Sequence, residues 1–439
     1  MNKSKFFSVL FLAIAGTSAI SSAQEIDWTA ESITITTETQ LRELAQRVNG
    51  TGGFEPTTFE EQTFVLANDI ALTGGNWEPI GRSAAVSDAG PWDSFFFEGT
   101  FDGNGKVVSN VIIKGDILLS GFFGYIGKKG YIKNLGVHIA EYDVSKSWGN
   151  AYAAGIAGIN NGTIEKCFAT GDIKAGTTWN AYVFVGGLVG SNSGIISECY
   201  ATGNVHAFSP VSRVYVGGLV GATWGDPKIL DGKATIINSY ATGNVSVGTN
   251  SSLYMGGLIG DNGYNVATTI VENCYSTGIV SGASGYVGGL VGRNPGTVTA
   301  SYYNSETSGQ SDTDKGEPKT TAAMKNRTTF EDWDFVDIWG IDAGENDGYP
   351  YLLMKNVTTG LADILSEKWQ IYPNPVKSEL FISSDFPVTK AEIYSITGAL
   401  LISEMNITGK INVSTLSPGV YMLMIYTNSG VVAKKVVKE

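Results

Sequence analysis

Charge is scarce in this chain: Asp, Glu, Lys and Arg make up 16% of its 439 residues, below the roughly 25% usual for a globular domain. Acids nevertheless outnumber bases, 42 to 29, giving a formal net charge of −13. Such a surface repels phosphate backbones, so no nucleic-acid partner is expected. Three cysteines, Cys167, Cys199 and Cys274, are too few to staple a chain of this length. The two histidines, His138 and His206, are far apart with no obvious partner. No metalloprotease helix, serine nucleophile elbow or phosphate loop is found. Beyond the first residues no run of about 18 apolar residues occurs, so no transmembrane helix is expected in the mature chain.

What the chain has is glycine, 56 residues of it against 12 prolines. It also opens on "MNKSKFFSVLFLAIAGTSAISSAQ". A basic start, an apolar stretch from Phe6 to Ile14 and a small-residue end form the pattern of a secretory signal peptide, residues 1–23, with cleavage expected after Ala23. Losing Lys3 and Lys5 with it would make the mature chain two charges more negative.

The glycines are periodic. "SGFFG", "AGIAG", "GGLVG" (three times) and "GGLIG" align on Gly121, Gly155, Gly187, Gly218, Gly257 and Gly289, in steps of 34, 32, 31, 39 and 32 residues. The long step carries an extra loop at 222–235. Three residues before each glycine stand Leu118, Tyr152, Phe184, Tyr215, Tyr254 and Tyr286. Downstream, one slot holds Leu135, Cys167, Cys199, Ser239, Cys274 and Ser301. The next holds Phe168, Tyr200, Tyr240, Tyr275 and Tyr302, and a threonine follows at Thr170, Thr202, Thr242 and Thr277. A unit of about 32 residues made of short β-prone runs cannot bury its own apolar side, but a stack of such units closes a continuous core. The expected fold is therefore all-β: a parallel β-solenoid whose coils lie about 4.8 Å apart and whose equivalent residues form columns. The glycines should mark the bends, where a Cβ would clash or φ must be positive.

"TETQLRELAQRVNG" (37–50) places Leu41, Leu44, Ala45 and Val48 on one face, with a Thr37/Gln40 capping box and a Gly50 stop. An amphipathic helix over the open sheet end is the natural cap. Residues 24–115 then read as cap and first coils, with strand, turn and hairpin-like connections through "FEGTFDGNGK", and 116–354 as the solenoid with a closing segment from 301. Residues 355–368 read as a linker, and 369–439 as a small β-sandwich of about seven strands.

Two resemblances rest on these strings. The repeated G-G-L-V-G…C-Y-A-T-G units, led in by "LANDIAL", "WEPIG" and "GTFDGNGK", resemble the GLUG motif of bacterial surface and secreted proteins, over roughly 30–354. That resemblance implies no particular activity. "YPNP" (372–375), "IYSITG" (393–398), "LSPGVYML" (416–423) and "KKVVK" (434–438) resemble the C-terminal sorting domain of the type IX secretion system. This second resemblance implies a Bacteroidetes-type Gram-negative envelope, passage through the periplasm, the type IX machinery as a partner and delivery to the cell surface or beyond.

Candidate sites follow from the columns. The cysteines read as small buried core residues. Strand parity puts Cys199 and Ala201 on one face and Tyr200 and Thr202 on the other. If the cysteines face inward, Phe168, Tyr200, Tyr240, Tyr275 and Tyr302 form an outer ladder beside Thr170, Thr202, Thr242 and Thr277, suited to a sugar polymer. If a bend reverses the parity, these rings stack inside. The Tyr152-to-Tyr286 column shares parity with Ile156, Leu188, Leu219, Leu258 and Leu290 and is expected in the core. "DTDKGE" (312–317) offers Asp312 and Asp314 as a weak Ca²⁺ pair, "DAGEND" (342–347) is similar, and no other cofactor is expected. Only 13 charged residues lie in 151–300, whereas a polysaccharide lyase or hydrolase needs a clustered acid, base or cation set. The leading expectation is a secreted or cell-surface binding or adhesion protein contacting glycans or surface partners along the solenoid face. A carbohydrate-active enzyme on the same scaffold is the alternative, and a threonine ladder that orders ice-like water is a third reading.

Overall fold

The computed structural model describes residues 26–82, 95–210, 213–224, 234–248, 253–264, 269–282, 285–354, 370–383, 388–395, 400–405, 409–427 and 430–439. The expected leader with its cleavage point after Ala23, the 355–368 linker and most of the 222–235 loop lie outside the described residues.

Capping comes first. Helix α1 (Glu38–Asn49) begins where Thr37 accepts the Gln40 amide and Gln40 accepts the Thr37 amide, and it ends on left-handed Gly50. Its apolar face, Leu41, Leu44, Ala45 and Val48, is buried in the main core. Two 16-residue strands, Thr100–Gly115 and Tyr131–Lys146, then run in parallel. The expected hairpin at "FDGNGK" is instead a bulge within the first strand, where Asn104 and Gly105 take positive φ and the register shifts between Asp102 and Lys106. The bulge lets the strand bend without leaving its neighbour.

From there the chain winds as a series of coils, each pairing in parallel with the next. Three parallel sheets result, one of 20 strands and two of six. The predicted columns are real: Phe168 pairs with Tyr200, Tyr200 with Tyr240, Tyr240 with Tyr275 and Tyr275 with Tyr302. Likewise Phe184, Tyr215, Tyr254 and Tyr286 pair in sequence. Ile, Val, Leu and Ala from all three sheets fill a single lumen together with Cys167, Cys199 and Cys274, each fully buried. The thiols are free.

The glycine pair works by close approach rather than by positive φ. A Cβ on Gly187 would stand 2.1 Å from Gly218 O and 2.7 Å from Ala201 Cβ, and one on Gly186 would stand 2.0 Å from Val189 O. Positive φ falls elsewhere, on the residue before each cysteine slot: Asn134, Lys166, Glu198, Asn238, Asn273 and Ala300, between 43° and 53°. This left-handed corner turns the slot amide toward the next coil. Cys167 N–H meets Cys199 Sγ at 3.4 Å, Cys199 N–H meets Ser239 Oγ at 3.1 Å, and Cys274 N–H meets Ser301 Oγ at 3.1 Å. Past Leu135 the slot holds only Cys or Ser, small side chains that can accept a hydrogen bond inside an apolar lumen.

The last unit is antiparallel. Strands Gln370–Tyr372, Glu379–Ser383 and Lys410–Asn412 form one sheet; Leu400–Met405, Val388–Ser395, Gly419–Thr427 and Gly430–Lys438 form the other. Leu380, Ile382, Ala391, Ile393, Ile411, Leu423 and Ile425 make its separate core.

Candidate ligand-binding faces

The outer ladder is built by the two-residue period of the strand after the left-handed corner. Cys199 and Ala201 enter the lumen and Tyr200 leaves it. Phe168, Tyr200, Tyr240 and Tyr275 stack with centroids 4.9 Å apart and planes within 7°. So the bend does not reverse the parity: the column points away from the lumen.

It does not follow that the ladder is open. Residues 321–354 lie across its C-terminal half as a strap. Trp339 sits 6.1 Å from Tyr240 and 6.0 Å from Tyr275, while Trp333 sits 6.3 Å from Tyr275 and 6.0 Å from Tyr302. Phe330 meets Tyr302 edge-on at 5.4 Å. Tyr275 Oη donates to Pro350 O, Asn346 Nδ2 donates to Tyr275 Oη at 2.6 Å, and Trp333 Nε1 donates to Ala300 O at 3.0 Å. Of the five expected contact rings, Tyr240, Tyr275 and Tyr302 are therefore buried under the chain's own strap, and Phe168 and Tyr200 stay half-buried. Burial pushes the Tyr200 phenol up to about 12 and raises Tyr275 well above the ordinary value, so both remain protonated donors. Thr202 is exposed, Thr170, Thr242 and Thr277 are half-buried, and Thr170 Oγ1 lies 2.8 Å from His138 Nδ1.

Next to the open end of the ladder stands a polar cluster. Tyr131 Oη donates to Glu165, and Lys166 Nζ lies 3.9 Å from both Glu165 and Glu198. Burial raises the Glu198 carboxyl; Lys166 pulls it back, and Glu165 and Asp334 of the strap push it up further.

The Tyr152-to-Tyr286 column is buried over most of its length, but not in the lumen, where it was expected. Val183 and Val185 enter the lumen, so Phe184 between them faces out. The Gly–Gly turn resets the parity and folds two sheets toward each other, leaving a concave outer corner that this second stack fills. Tyr152, Phe184, Tyr215, Tyr254 and Tyr286 stand 4.6 to 5.1 Å apart. On the same corner Arg293 pairs with the buried Asp261 at 2.6 Å and lies 5.2 Å from the Tyr254 centroid. Tyr286, at the end, is 55% exposed.

The calcium expectation meets a different use of its residues. Asp312 Oδ1 accepts Gly289 N–H at 3.0 Å, and Lys315 Nζ donates to Val287 O at 2.9 Å and Gly292 O at 3.2 Å. Lys315 lies 3.9 Å from Asp312 Oδ2, and Asp314 points to solvent. The "DTDKGE" turn thus plugs the C-terminal opening, with the Lys315 ammonium on the edge carbonyls of Val287 and Gly292. Among the described residues no group of three His, Cys, Asp or Glu is placed to hold a metal ion.

Trp148, Trp179 and Tyr182, outside the expected columns, are 47%, 51% and 39% exposed on the loops leading into strands Ala151–Ala153 and Val183–Gly186. Two indoles 31 residues apart, close to the repeat period, were the available signal.

Comparison with known proteins agrees with both resemblances. The GLUG motif model matches residues 185–205 and 212–246, and the model of the secretion system C-terminal sorting domain matches 370–439. A "putative Gly-rich membrane protein" of Evansella cellulosilytica is 46% identical over 135 residues, covering 29% of this chain and 15% of that relative. The chain thus spans a small part of the relative's length. Among the described residues no helix is long and apolar enough to cross a membrane.

Proposed function

We propose that this GLUG-repeat protein, sent to the cell surface or beyond by its type IX sorting domain, is a binding or adhesion protein whose solenoid wall contacts glycans. One observation carries the reading: aromatic side chains and hydroxyls leave the lumen at the same position of successive coils, as Phe168 and Tyr200 do beside Thr170 and Thr202. A wall with one repeat per coil suits a polymer with one repeat per sugar. Ligands of this kind offer many hydroxyls, which the threonines and the exposed edges of the ladder answer. The full secreted chain on a glycan array tests it: binding to a defined glycan class is expected, and blank spots throughout would refute it.

The alternative, a polysaccharide lyase or hydrolase, draws on the Tyr131, Glu165, Lys166 and Glu198 cluster, where acids, an amine and a phenol converge beside the open end of the ladder. Its check is release of new reducing or unsaturated ends from polysaccharides, abolished by Glu198→Gln.

A further inference from the structure

The ladder can offer a glycan hydroxyls and ring edges, but not ring faces. Tyr200 and Tyr240 each carry a ring 4.9 Å away on both sides. Phe168, at the end, lies over backbone instead: a Cβ on Gly136 would come 2.4 Å from its Cζ. Stacking has used the ring faces, so the wall is offered only ring edges and hydroxyls. A pyranose that stacks on an aromatic ring needs an open face.

Open faces occur at another place. The strand after the threonine column pairs Thr177 with Lys146, which puts Trp179 and Trp148 at equivalent positions on consecutive coils. Both are about half exposed, and among the described residues neither indole stacks on another ring. Tyr182 stands beside them, edge-on to Phe184 and Tyr215 at 6.5 Å, with the Arg213 guanidinium 5.9 Å from its ring. The loops that carry these rings are tied down. Thr178 N–H bonds Lys146 O at 2.8 Å, Trp179 N–H bonds Thr177 Oγ1 at 3.1 Å and Tyr182 N–H bonds Asn150 Oδ1 at 2.9 Å. Lys146 pairs with Asp116 at 2.6 Å, and Ser147 also donates to Asp116.

Within the glycan-binding reading, on which this step rests, the geometry points to Trp148 and Trp179, flanked by Tyr182, as the stacking platform for a neutral glycan chain running along the solenoid axis. The two indoles follow paired strand ends on consecutive coils, so a chain running along the axis would pass both. Neutrality follows from charge: Lys146 and Asp116 cancel, the Arg213 guanidinium lies against the Tyr182 ring, and the chain as a whole is acidic, which disfavours anionic polymers. Rings held in advance by fixed loops lose little entropy on binding.

The test uses the full secreted chain and immobilised neutral polysaccharides: β-glucan, xylan, mannan and galactan. Trp148→Ala with Trp179→Ala should lower affinity at least tenfold for whichever of them the parent chain binds, with an unchanged melting temperature. Trp148→Phe with Trp179→Phe keeps an open ring face and should recover most of the affinity, which separates lost stacking from lost folding. Val336→Ala, at an exposed strap position outside either wall, should change affinity less than threefold. If the parent chain binds and the double alanine variant binds equally well, the platform is wrong and the glycan reading stands. If the parent chain binds none of the four and no glycan on an array, both fall.

Discussion

At the scale of single residues, the cysteine slot shows what the sequence could and could not tell. Cys167, Cys199 and Cys274 read as small core residues and are buried as such. A second task of the slot, seen at Cys199, Ser239 and Ser301, is to accept the slot amide of the preceding coil, and it depends on the left-handed residue before that donor, which varies among Asn, Lys, Glu and Ala. Cys199→Ala would orphan the Cys167 amide in the lumen at a cost of roughly 1–3 kcal/mol, whereas Cys199→Ser keeps the acceptor. Urea unfolding midpoints should therefore rank parent and Ser variant together and Ala below them. Asp261 gives a pH test. Burial raises its carboxyl, while the hydrogen bond and charge of Arg293 pull it down, and the net shift is upward from 3.8. The folded state holds this proton longer than the unfolded chain, so this group contributes stability at low pH that is lost as pH rises from about 3.8 through the raised value. Asp261→Asn should flatten that part of the stability profile, and an unchanged slope would show that Asp261 does not set it.

Elements were legible in proportion to their locality. Helix α1, its capping box and its Gly50 stop are where the local signals put them. The columns were legible because repetition at one register reports contacts without naming them. The strap was not. Residues 321–354 have no counterpart in the repeats, and nothing local says that Phe330, Trp333 and Trp339 lie on rings up to a hundred residues earlier. The density of aromatics between 330 and 351 was the one available hint. The strap holds itself by those rings, so Trp339→Ala, which empties a fully buried site, should cost about 3–5 kcal/mol. The loss should be local: limited proteolysis should cut within 321–354 first, while the coils before Tyr200 stay protected. Uniform loss of protection would show instead that strap and coils unfold as one.

For the whole molecule, the two units divide the work. The repeat body supplies a long wall, and the antiparallel C-terminal unit supplies the export address. Deleting 370–439 should leave a folded body retained inside the envelope; cell fractionation reads this directly, and unchanged appearance outside would show that export does not depend on that unit. Separate cores agree with such independence, because the sandwich core shares no residue with the lumen.

The sequence by itself determined the coil stack, the cap, the sorting unit and which residues share a column, because these depend on periodicity and local chemistry. The tertiary structure decided which outward faces remain open. It buried three ladder rings under a distant strap, turned an expected core column into an outer corner, spent Asp312 on plugging the solenoid end and left Trp148 and Trp179 bare. Exposure depends on what other parts of the chain arrive, and a repeat pattern carries no information about a segment that does not repeat.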